Sequence, residues 1–277
     1  MDAIYNIVET ILPFSFMEYE FMKNALLALI IIAPLFGIVG TMIVNNKMSF
    51  FSDALGHSVL TGIALGTIIG VSNYSISMII FAVVFALLLN YIKNKKTAST
   101  DTIISVFSSS AVAIGLMLMS KYGGINKYSQ FLVGDILSVT VEEILLLFVI
   151  LVITIIIWFK LCNMLVVTST NPTLAKSKGI NVNLVENVFG VLIAVIVMLT
   201  IKWVGILLIN ALLILPAAAS RNISNNMRQY TLYAILISLV SGILGLILSF
   251  IFEIATGPTI VVISAIIFFV TFVFRRK

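Results

Sequence analysis

Charge is what this sequence has least of. Only 10% of its 277 residues are Asp, Glu, Lys or Arg, and it carries one histidine and one cysteine. A single cysteine, Cys162, excludes a disulfide within the chain and any sulfur-rich zinc cluster, since both need several sulfur atoms. It reads as an inert residue near a membrane edge. No Gly-x-x-x-x-Gly-Lys-Ser/Thr loop occurs, so the chain has no such motif with which to bind and hydrolyse ATP. His-Glu-x-x-His and Gly-x-Ser-x-Gly are missing too, which removes sequence support for an intramembrane metalloprotease or a serine hydrolase. The reading is a chain that is not itself an enzyme.

Hydrophobic residues make up 61% of the sequence, and the mean hydropathy of +1.21 is that of an integral membrane protein. Apolar runs of about 20 residues, the length that crosses a bilayer core, recur with short polar breaks. They place spans near 24–44, 50–70, 74–92, 101–119, 141–159, 183–201, 203–219, 229–251 and 257–274. The fold class is therefore all-α, a polytopic membrane helical bundle of about nine spans within a range of eight to ten. The run from Val182 to Ala219 is interrupted only by Lys202 and Trp203, so it reads as two spans, a re-entrant segment or one long bent unit. What is left between spans is too short for a soluble domain, and residues 1–277 read as a single transmembrane domain. Gly37 and Gly40, and Gly62, Gly66 and Gly70, are spaced to let neighbouring helices approach.

The charges set the expected orientation. If the chain starts outside and alternates, the inner face receives Lys47, Lys93, Lys95, Lys96, Lys160, Lys176, Lys178, Arg221, Arg228, Arg275, Arg276 and Lys277. The outer face receives only Lys23, Lys121, Lys127 and Lys202, with Asp2, Glu9, Glu18, Glu20, Asp135, Glu142, Glu143 and Glu253. Basic residues gather on the cytoplasmic side of membrane proteins, so the N-terminus is expected outside and the C-terminus in the cytoplasm. The net charge of +5 and the pI of 9.3 thus report topology, and no nucleic-acid partner is implied. No basic cluster precedes an apolar core near Met1, so a cleaved signal is not expected there.

Ionisable groups inside spans are costly, so the few present carry most of the functional information. Asp53 and His57 lie four residues apart in the second span, on one helical face about a turn from each other. A hard carboxylate oxygen beside an imidazole nitrogen suits manganese, ferrous iron or zinc. Two ligands leave any coordination shell incomplete, and the same pair from a symmetry-related copy would make four. Other readings remain open at this stage. Asp53 could interact with the positive end of its own helix while His57 bonds a neighbouring helix, or the two could relay protons.

Weaker candidates follow. Ser105, Ser108, Ser109 and Ser110 either line a wet cavity or serve as small packing residues. Asp101 reads as a first-turn carboxylate near capping hydroxyls, and Asp135 as a solvated outer residue. Asn210, six residues before Pro216, lines a pathway or bonds another helix. The outer Glu18, Glu20, Glu142 and Glu143 read as solvated carboxylates, and the eleven methionines as filler. Between Thr168 and Asn181, capping residues, Pro172 at a first-turn position and Gly179 at the far end describe a short helix on the inner face. That helix is either a docking point for a cytoplasmic partner or an ordinary helix lying on headgroups.

Four stretches together resemble the membrane permease of bacterial ABC importers for manganese, zinc or iron. The most specific is Gly40–Ala64, which is similar to the family's signature around an Asp-x-x-x-His pair. Residues 99–108, 131–137 and 204–217 resemble three further blocks. Two departures stand out: Asn45-Asn46-Lys47 where the family usually has a basic pair, and Thr61 where it usually has proline. The resemblance implies a homodimeric permease in the bacterial cytoplasmic membrane, with two cytoplasmic ABC ATPase subunits and an extracytoplasmic metal-binding protein. It implies that Asp53 and His57 line the two-fold pathway of a transported divalent ion, with no permanently bound cofactor. Residues 169–180 would be the coupling helix, with Asn171, Pro172, Ala175, Gly179 and Ile180 meeting the ATPase. Asn210, Ser105 and Ser109 remain secondary pathway candidates. A proton-coupled secondary metal transporter is the alternative reading, and a membrane component that binds metal without moving it is another.

Overall fold

A computed structural model describes residues 19–71, 73–95, 98–122 and 131–275, without the side chains of Leu207 and Asn210. The described residues form ten α-helices and one 3-10 turn, and no strand occurs among them. In order they are α1 (Glu20–Asn45), α2 (Ser49–Ile69), α3 (Tyr74–Asn94), α4 (Thr100–Tyr122), the 3-10 turn η1 (Ile136–Ser138) and α5 (Val141–Thr170). Then come α6 (Pro172–Ser177), α7 (Val182–Val204), α8 (Ile206–Ile223), α9 (Met227–Phe252) and α10 (Thr256–Val273). A hydrocarbon core offers backbone groups no water, so the chain satisfies its N–H and C=O groups within helices. All the long helices except α8 are long and apolar enough to cross a membrane, eight in number. The ninth, α8, has 18 residues, and its first turns carry the two side chains left undescribed.

Polar side chains mark where helices start. Asn73, Asn171, Asn181 and Asn226 each accept a hydrogen bond from a backbone N–H in the following turn, and Thr140 and Glu143 form a reciprocal capping box at the head of α5. Pro34 and Pro216 lie inside α1 and α8 without ending either helix.

The helix that carries Asp53 and His57 is enclosed. α2 packs on α3, α4, α7 and α8, while α1 packs on α5, α8 and α9. Small residues bring α2 close to its neighbours. Ser77 Oγ donates to Gly62 O at 2.7 Å across the α2–α3 contact. On the other side Gly115 of α4 sits against Leu60 and Thr61, and the Thr61 hydroxyl donates to Ala111 O. Thr61, one of the departures from the family pattern, thus takes up a structural bond to α4. The outward faces of α4, α5, α9 and α10 are apolar and exposed, as lipid contact requires; Phe159 is 80% exposed and Val273 78%.

The run from Val182 to Ala219 is two helices parted at Gly205. That residue has φ 86° and ψ 152°, a conformation reserved for glycine, and its N–H still donates to Ile201 O at 2.8 Å. Gly134, also at positive φ, lies against it, so a Cβ on Gly205 would stand 2.3 Å from the Val133 carbonyl. Asp135 N–H donates to Lys202 O at 3.3 Å, and Asp135 caps η1 through Leu137 N. The expectation of a solvated Glu143 does not hold. Its carboxylate pairs with Lys202 Nζ and accepts from Trp203 Nε1 at 3.1 Å, so it ties α5 to the end of α7.

Gly205→Ala should therefore lower folded stability by about 1–3 kcal/mol, from backbone strain and the clash with Val133. Thermal unfolding in detergent would read this, and a midpoint equal to that of the wild type would contradict the account.

Candidate functional site

Asp53 and His57 stand one turn apart on α2, with Asp53 Oδ2 3.8 Å from His57 Nε2. This is an approach within ion-pair range but beyond hydrogen-bond length. Their side chains are 42% and 37% exposed in a helix whose Ala54, Leu55, Gly56, Ser58, Val59, Leu60 and Thr61 are all buried. α2 therefore presents one open strip at this level, and the carboxylate and imidazole occupy it together with Phe50. No third His, Cys, Asp or Glu joins them, for no group of three or more such residues that could hold a metal occurs among the described residues. Within one chain the pair offers one carboxylate and one imidazole on the same open strip.

The other candidates are placed differently. Ile103, Ile104, Ala111, Gly115 and Met119 form the buried stripe of α4, and Ser105 and Ser109 fall on its exposed side. One chain thus leaves them away from the face that α4 presents to α2. Asn210 is helical within α8, and its side chain lies outside the described residues.

A six-residue helix, α6, occupies the segment between α5 and α7. Asn171 Oδ1 accepts from Thr173 N and Leu174 N, both at 3.0 Å, and Pro172 opens the helix where its missing N–H costs nothing. Ala175 is fully buried, Leu174 projects outward at 46% exposure, and Gly179 reverses the chain at φ 76°. Ile180 N–H closes the turn on Ala175 O at 3.0 Å, and Asn181 then caps α7.

Three contacts that sequence reasoning missed tie the helices flanking this segment to the helices around the pair. Asn45 Nδ2 at the end of α1 donates to Ser169 Oγ at 2.8 Å, next to the start of α6. Lys93 Nζ of α3 lies 2.9 Å from Glu186 Oε2 of α7, both largely buried, while Asn90 Nδ2 donates to Glu186 O at 3.1 Å. The available signal was Glu186 itself, a charge one turn inside an apolar span; nothing in a single sequence names its partner 93 residues away. Asn45 is also where the family's basic pair is absent, and Lys47 beside it adopts φ 55° in the tight turn into α2.

Comparison with known proteins agrees with this architecture. Residues 18–275 match the model of the ABC 3 transport family. The chain is 30% identical over 261 residues to the manganese transport system membrane protein MntC of Listeria monocytogenes, covering 94% of this chain and 93% of that one. It is also 30% identical over 262 residues to the high-affinity zinc uptake system membrane protein ZnuB of Haemophilus influenzae, covering 94% and 99%. Among solved structures, PsaBC from Streptococcus pneumoniae in complex with Fab superposes with a TM-score of 0.81 at 28% identity, over 98% of this chain and 95% of that one.

Because the two side chains are more than a third exposed and hold each other only loosely, a structural role would give them little to do. Asp53→Asn and His57→Gln are each expected to change folding stability by no more than about 0.5 kcal/mol. A loss of 2 kcal/mol or more in thermal unfolding of either variant would make the pair structural.

Proposed function

The chain belongs to the ABC 3 transport family, and from that premise we propose that it is the homodimeric permease subunit of an ATP-driven importer of a divalent transition metal ion. It is a multi-pass protein of the bacterial inner membrane and a non-catalytic transport subunit. The observation that carries the proposal is the Asp53–His57 pair on the open strip of α2. Two copies facing each other across a two-fold axis supply two carboxylates and two imidazoles, and water completes the shell. This donor set accepts manganese, zinc or ferrous iron alike. The ion is cargo and is held transiently, since a closed cage of permanent ligands would stop transport.

In this reading all nine long helices cross the membrane, with the N-terminus outside and the C-terminus inside. The side that carries α6, Lys176 and Lys178 then faces the cytoplasm. Two separate ATPase subunits receive α6, whose exposed Leu174 and well-capped first turn suit a groove, and an extracytoplasmic metal-binding protein delivers ions to the other side. ATP-driven closure of the ATPase pair moves the permease between outward- and inward-facing states through α6. The relatives named for manganese and zinc transport support metal as cargo without choosing between the ions. Family membership supports ATP rather than a proton gradient as the energy source.

Reconstitution in liposomes tests the proposal. Manganese or zinc uptake should require the ATPase partner and ATP. It should fall at least about tenfold in Asp53→Ala and in His57→Ala, the scale on which a lost metal-site partner shows. Uptake by the permease alone under a proton gradient would replace the proposal with a secondary transporter. Wild-type uptake in both variants would remove the pair from the pathway.

A further inference from the structure

A groove of about 510 Å³ runs between the inner part of α5 and the first turns of α9. Its walls are Trp158, Cys162 and Val166 on α5 and Met227, Leu232 and Ile235 on α9, and its polar lining is Asn163, Arg228 and Thr231. The flanking surface is lipid-facing: Phe159 and Met164 on α5 and Leu232 and Leu236 on α9 are all exposed. The floor is close-packed, because α1 lies against both helices and Gly37 of α1 meets the backbone of Ile235.

The groove sits at headgroup depth. α5 has 30 residues and rises about 45 Å, longer than a hydrocarbon core of about 30 Å. With the exposed Glu142 at one end in water, the far turns around Asn163 reach the opposite interface. Trp158 is at the level where tryptophans gather, and Arg228 is the second residue of α9. This is the side that carries α6; it is cytoplasmic on the topology proposed above, on which the inference rests for that word alone.

Most of the polar groups here have no partner among the described residues. Thr231 Oγ1 donates to Met227 O, but Arg228 makes no ion pair among the described residues. Neither Asn163 nor the Trp158 indole N–H has a hydrogen-bond partner among them. A free guanidinium, an amide and an indole N–H together form a donor set for a phosphodiester, and the field at the start of α9 has the same sign. No residue lining the groove is acidic, so nothing there receives the ammonium of a zwitterionic headgroup.

We propose that this groove is a binding site for an anionic phospholipid, with its phosphodiester on Arg228 and Asn163 and an acyl chain along Trp158, Leu232 and Ile235. The lipid bridges α5, which leads directly into α6, and α9. Its charge complementarity with Arg228 selects phosphatidylglycerol over phosphatidylcholine by about fivefold, the effect of one basic residue at a membrane surface.

The chain has two tryptophans, so Trp203→Phe leaves Trp158 as the sole reporter. The full chain in vesicles should show Trp158 quenched by brominated phosphatidylglycerol at about one fifth of the mole fraction needed with brominated phosphatidylcholine. Arg228→Gln should erase that preference, while Arg221→Gln, away from the groove, should keep it. Native mass spectrometry of the unaltered chain should retain phosphatidylglycerol and lose it in Arg228→Gln, which guards against any disturbance by Trp203→Phe. Equal quenching by the two lipids overturns the proposal, as does a preference that survives Arg228→Gln. Absence of quenching by either lipid also overturns it, because a protein segment or a second copy then covers the groove. None of these readouts involves metal or ATP, so failure of the transport reading leaves the result intact.

Discussion

Everything in this molecule follows from the cost of leaving a polar group unsatisfied in hydrocarbon. That cost puts the backbone into helices, turns outward faces apolar and confines charge to loops and helix ends. It also makes the few departures informative. Lys93 and Glu186 meet the constraint by pairing with each other, and Glu143 meets it with Lys202 and Trp203. Asp53 and His57 do not. They stand 3.8 Å apart on a half-open strip of an otherwise enclosed helix, which is tolerable only if that strip faces water, an ion or a second copy of the chain.

The same constraint lets distant parts communicate. The last turn of α5, which leads into short helix α6, is joined by Asn45–Ser169 to the end of α1, one tight turn before α2. Helix α7, which begins where α6 ends, is locked to α3 by Lys93–Glu186. Both α3 and α7 pack on α2. On the proposed function, a displacement of α6 would therefore have two routes of packed and hydrogen-bonded groups to the helix that carries Asp53 and His57. At the other end of the molecule, the contact of segment 131–140 with Gly205 and the Glu143 cluster hold the joint between α7 and α8.

Much of this was legible in the sequence. Each apolar run of about 20 residues corresponds to a long helix, because hydrocarbon thickness sets a length that composition reports directly. The Asp53–His57 spacing was readable because the helical period places i and i+4 on one face whatever the tertiary context. The family resemblance, carried chiefly by residues 40–64, agrees with the match over residues 18–275. What was not legible depends on groups brought together from far apart. Glu143 looked like a solvated outer carboxylate because nothing local shows that Lys202 and Trp203 lie beside it. The break between α7 and α8 was ambiguous because hydropathy passes over a single glycine; only the backbone angle at Gly205 and its neighbour Gly134 decide it. The serines of α4 read either as cavity lining or as packing residues, and which side of α4 they occupy became visible only once α2 was packed against Ala111 and Gly115.

The central claim is that one transported ion is held between two chains by a pair that one chain supplies only in half. His57 is the only histidine, so uniform labelling of histidine with nitrogen-15 marks that imidazole alone. Electron–nuclear double resonance on the detergent-purified permease loaded with manganese then reads the site directly. The account predicts hyperfine coupling to two equivalent labelled nitrogens at one bound ion per two chains, lost in His57→Gln. Bound manganese without nitrogen coupling, or with one ion per chain, would contradict it.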